Sequence, residues 1–143
     1  MNWATRPGCH VDRAACAWLI LRFLDEGATF LFVEDADLVP ADARPFDIPG
    51  VELSHHGMRC SFETMLDHFG LQDQALADIG RIVHEADLAD ERYDAPEAAG
   101  LDVIIRGISL TRSDDAVISA CVAIFDGLYE YRRQANLLGT IPS

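Results

Sequence analysis

A chain of 143 residues, half of them apolar and about a quarter charged, is long enough to bury roughly two-thirds of its unfolded surface around one core. Its 24 acidic and 11 basic side chains leave a net charge of −13, which repels a phosphate backbone and argues against autonomous nucleic-acid binding. The longest apolar runs, Ala14 to Leu21 and Phe30 to Val33, fall far short of the roughly 20 residues a membrane helix needs, and no basic-then-apolar leader opens the chain, so a cytoplasmic protein is expected.

Apolar residues at 15, 16, 19, 20, 23 and 24 recur at helical spacing, with Asp12 placed to cap and Gly27 to stop a first helix over Arg13 to Glu26. Thr29 to Val33 is rich in strand formers, and Val51 to His55 alternates as a half-buried strand would; the two are expected to pair. Between them, Pro40 to Gly50 carries three prolines and reads as irregular. Ser61 opens a short helix with Phe62, Met65, Leu66 and Phe69 on its apolar face. Asp73 caps a longer helix through Leu76, Ile79, Val83 and Ala86, and Asp94 another through Leu101, Ile104, Ile105 and Ile108. Ser113 begins the last, with Val117, Ile118, Cys121, Phe125, Leu128 and Tyr129 as its stripe and Gly139 at its end. The sum is a predominantly helical α+β domain spanning residues 1–143, with five helices and two short strands.

The run Val11-Asp-Arg-Ala-Ala-Cys-Ala-Trp-Leu-Ile-Leu-Arg-Phe-Leu-Asp25, followed by Ala28-Thr-Phe-Leu-Phe-Val33, resembles the opening of the C-terminal domain family of chromate-resistance protein B. Pro45-Phe-Asp47, Val51-Glu-Leu-Ser-His55, Arg59-Cys-Ser-Phe-Glu63, Arg81-Ile-Val-His-Glu-Ala-Asp87, Pro96-Glu-Ala-Ala-Gly-Leu101 and Phe125-Asp-Gly-Leu-Tyr129 extend the likeness over nearly the whole chain. One departure is Ala17, where the family usually has proline; alanine continues a helix at no cost. The resemblance implies a role in bacterial chromate resistance, a stress response in which longer relatives are linked to control of an efflux system.

Candidate chemistry centres on His84 and Asp87, which three-residue spacing puts on one helix face, donors suited to zinc, manganese or iron. His55, at the end of the expected strand, and Glu63 and Glu97, each near a helix start, complete a candidate metal set, although first-turn acids are also explained by the helix dipole and by capping. Arg13 and Arg22 are candidate receptors for a small oxyanion, but nine residues apart they lie on opposite sides of one helix. Cys60, beside Arg59 and before a helix start, is the redox candidate; no CxxC pair is present. The expected partner is thus a divalent metal ion or a small oxyanion, with no membrane and with self-association left open. A metal-binding sensor, a metal-dependent hydrolase or oxidoreductase at the same site, and an interaction domain without chemistry all remain open.

Overall fold

In the computed structural model, residues 1–139 are described. Strand β1 (Asn2–Thr5) leads into helix α1 (Val11–Leu19), which widens into a π-helical segment over Ile20–Leu24. Strand β2 (Thr29–Phe32), a 3-10 turn (Ala36–Leu38) and strand β3 (Ala43–Pro45) follow. Then come helices α2 (Ser61–His68), α3 (Gln74–Leu88), α4 (Ala98–Ser109) and α5 (Asp114–Leu138). Among the described residues the domain is mostly helical, with five α-helices and a three-stranded parallel sheet ordered β2-β1-β3. None of the described helices is long and apolar enough to cross a membrane.

The central strand, β1, is absent from the sequence expectation. It is only four residues long, and its Trp3, Ala4 and Thr5 are all buried, so no in–out alternation marks it. Pro45 lies in β3, an edge strand, where a missing ladder donor is tolerated. The expected strand over Val51 to His55 is instead a folded turn: Leu53 O accepts from Asp47 N at 2.7 Å, and Ser54 Oγ donates to Val51 O at 2.5 Å. β2 pairs with β1 and not with this segment.

All nine residues of α1 are buried, and the helix packs against α2, α3, α4 and α5. Trp18 stacks among Phe23, Phe125 and Tyr129, and its Nε1 donates to Asp126 Oδ1 at 2.8 Å. Asp73 and Ser113 cap α3 and α5 as their sequence positions predict, and Gly139 closes α5 at φ 68°. The cap of α4 differs: Glu97, not Asp94, occupies the N-cap position, and the expected stripe residue Ile104 is exposed.

Candidate functional site

A helix with no solvent-facing side must satisfy any charge it carries internally, and α1 carries two, Asp12 and Arg13. Asp12 does not cap its own helix; His10 holds that position. Its carboxylate reaches across to the start of α2, where Oδ2 accepts from Ser61 N and Oδ1 from Phe62 N, both at 2.9 Å. Asp12 is therefore a cap supplied from another helix, satisfying two otherwise orphaned donors and placing negative charge at the positive end of the α2 dipole.

His55 meets the same carboxylate. Its Nε2 stands 2.9 Å from Asp12 Oδ2 and 3.2 Å from Asp87 Oδ2, so one ring nitrogen is bracketed by carboxylates from α1 and α3. These hydrogen bonds push the imidazole up to about 10, the Asp12 bond acting most strongly, then Asp87, against the opposing effect of burial. The three side chains line an open cleft of about 410 Å³ together with Arg6, Arg13, Glu34 and Asp47.

Arg13 faces Asp47 as an ion pair, Nε to Oδ2 at 3.0 Å, and donates to the carbonyls of Pro7, Gly8 and Asp47. Burial, followed by the Asp12 charge, raises the Asp47 carboxyl to about 6 despite the Arg13 pairing and the Ser61 hydroxyl it accepts from. Once Asp47 is set against Arg13, the acids Asp12, Asp87 and Glu34 outnumber Arg6 and the protonated His55 by one charge, and by two when His55 gives up its proton.

A second cluster lies between α2 and α3. His84 is fully buried; its Nδ1 is 2.6 Å from Glu63 Oε1, and its Nε2 is 2.9 Å and 3.1 Å from the two Asp90 oxygens. Glu63 Oε1 also accepts from Cys60 N at 3.1 Å, and Glu63 Oε2 accepts from the Tyr93 hydroxyl at 3.2 Å. Burial works against charge on both groups, yet the mutual hydrogen bonds prevail: Glu63 sits below and His84 above its ordinary value. The Sγ of Cys60 completes a trio with these ligand atoms, all within 4.8 Å of one another.

The expected five-residue metal set is thus divided. His55 and Asp87 join Asp12 in the cleft, while Glu63 and His84 join Cys60 in the interior. His84 and Asp87, expected to share an ion, belong to different clusters because each is claimed by a different neighbour across its helix face. Glu97 joins neither, lying near Asp78, Arg81 and Arg132. Arg13 and Arg22 do not converge either: Arg22 forks onto Asp126 at 2.9 Å and 2.7 Å, and Arg13 is committed to Asp47 and carbonyls. The sequence position of Cys60, beside Arg59 and before a helix start, would favour thiolate, but here burial first, then the Asp12 charge, push this enclosed thiol well up.

Asp90 and Tyr93 escaped notice because they lie beyond the periodic part of α3. The signal for Asp12 was present: charged residues inside an all-apolar helical run demand buried partners.

The family described as "ChrB, C-terminal domain" matches residues 3–132. Protein ChrB of Cupriavidus metallidurans is 41% identical over 132 residues, covering 91% of this chain and 40% of that protein. The chain therefore spans about 40% of the length of that curated relative. No solved structure matches it.

Proposed function

The chain belongs to the ChrB C-terminal domain family, and from that premise we propose that residues 1–143 form one domain of it, a metal-binding sensor module serving bacterial chromate resistance. The observation that carries this reading is the single nitrogen of His55 flanked by the Asp12 and Asp87 carboxylates in an open cleft. One imidazole and two carboxylates suit a divalent transition ion of the zinc, manganese or iron type. The negative excess of the cleft, one charge with His55 protonated and two once a metal displaces its proton, favours a dication over an oxyanion such as chromate. Access from solvent leaves coordination positions for water, as an exchangeable sensory or catalytic ion requires and a closed structural ion does not. The acidic surface supports a role without autonomous nucleic-acid binding.

The test is metal analysis and calorimetric titration of untagged protein with zinc, manganese and ferrous ions, repeated on His55→Ala and Asp87→Ala. Both side chains are partly exposed, so the variants should fold. Each is expected to lose one equivalent of bound ion. Wild-type protein that takes up no ion, or variants that bind as wild type does, would refute the assignment.

A further inference from the structure

We propose that Cys60, Glu63 and His84 form a second cation site, buried and sulfur-containing, that takes a thiophilic ion such as zinc and is separate from the cleft. It does not rest on the reading of the cleft, because it shares no ligand with Asp12, His55 or Asp87.

Three different donor types meet here, a thiol at the N-cap of α2, a carboxylate at its third residue and an imidazole from α3. Cys60 and His84 are fully buried and Glu63 nearly so. A sulfur, nitrogen and oxygen set is the chemistry of zinc rather than of magnesium or calcium, which prefer oxygen alone. The outer shell fits as well. A metal-bound histidine ordinarily donates its far N–H to a carboxylate, and His84 Nε2 already faces Asp90 at 2.9 Å while Nδ1 faces inward. The free oxygen of Glu63 is likewise held, by the Tyr93 hydroxyl, whose ring packs edge-on to His84 at 4.9 Å. Asp90 and Tyr93 belong to the segment between α3 and α4, where Ala89 and Glu91 adopt positive φ, 48° and 59°. That segment covers the cluster through the Asp90 and Tyr93 contacts, and Asp90 itself is partly exposed.

Occupation needs a modest rearrangement. Tetrahedral bonds of about 2.0–2.3 Å hold neighbouring ligand atoms roughly 3.3–3.7 Å apart, so the 2.6 Å contact between Glu63 and His84 must open by somewhat under 1 Å. The charge is conserved: the dication enters as two protons leave, one from the Cys60 thiol and one from the His84 imidazolium. The buried charge of the cluster therefore stays the same.

The experiment is cobalt(II) substitution, by adding the ion to folded protein and by refolding in its presence. Thiolate bound to cobalt gives a charge-transfer band in the near ultraviolet, which the sulfur-free cleft cannot produce. Wild type and His55→Ala are expected to show the band, and Cys60→Ser, close to isosteric, to lose it together with one equivalent of ion. Absence of the band in wild type loaded by both routes, or its persistence in Cys60→Ser, overturns the proposal. A cleft that fails would remove one equivalent and leave the band, so the two readings fail separately.

Discussion

Replacing Asp12 by alanine probes the point where stability and the candidate cleft share an atom. The carboxylate satisfies two backbone donors at the start of α2, both in buried surroundings. Loss of an N-cap alone costs about 1 kcal/mol, and each buried donor left without a partner about 1–3 kcal/mol. Water can reach part of the opened space from the cleft, so a loss of roughly 3 kcal/mol is expected, against a total of about 5–15 kcal/mol for a domain of this kind. In urea, with a slope of about 2 kcal/mol per molar, the midpoint should fall by about 1.5 M. Asp12→Asn keeps one acceptor oxygen and should lose about half as much. The assay is urea unfolding followed by far-UV circular dichroism and by tryptophan fluorescence, since Trp18 is buried in the core. A loss below about 1 kcal/mol for the alanine variant would refute the view that α2 is anchored from α1.

His55 is raised from 6.5 to about 10 in the folded protein, so the stability it contributes is complete below about pH 6.5 and disappears as the pH climbs through about 10. The urea midpoint of the metal-free wild type should accordingly fall more between pH 7 and pH 10 than that of His55→Gln; equal slopes would contradict the pairing with Asp12 and Asp87. Gly80 lies within α3, where an added Cβ would meet Leu66, Glu63 and Phe62 side-chain atoms at 3.5, 3.6 and 3.7 Å, ordinary contact distances. Gly80→Ala should therefore stabilise by about 0.5–1 kcal/mol, measured by the same unfolding assay, and a destabilised variant would show that the α2–α3 contact is tighter than the distances indicate. All four cysteines are buried, with Cys9 raised to about 12 and Cys121 to about 11 chiefly by burial. A thiol reagent should label none of them in the folded protein at neutral pH and all four in denaturant; rapid labelling of native Cys60 would contradict its enclosure.

The helices were legible because their stripes and caps are local: Asp73, Ser113 and Gly139 sit where chain chemistry alone puts them. The sheet was not, since β1 and β3 are four and three residues long, β1 draws its stability from burial, and both depend on parallel pairing across the chain. Val51 to His55 alternates like a strand, but its backbone closes on Asp47 and on itself. The site was half legible. His55, Asp87, Glu63 and His84 are all engaged in clusters, but their division depends on which side of α3 each neighbour packs, and spacing within a helix cannot convey that. Arg13 was misread as an anion receptor because Asp47, 34 positions away, meets it only in the fold.

The eight-residue α2 is too short to persist by itself, and its first turn is held by Asp12 from outside and by Glu63 from within. Each of those carboxylates would also serve a cation. Filling either cluster would thus draw on the very oxygens that fix the helix in place, so ion occupancy would be translated into a displacement of α2. Its last residues, Asp67 and His68, face solvent, where such a movement would be visible to another macromolecule.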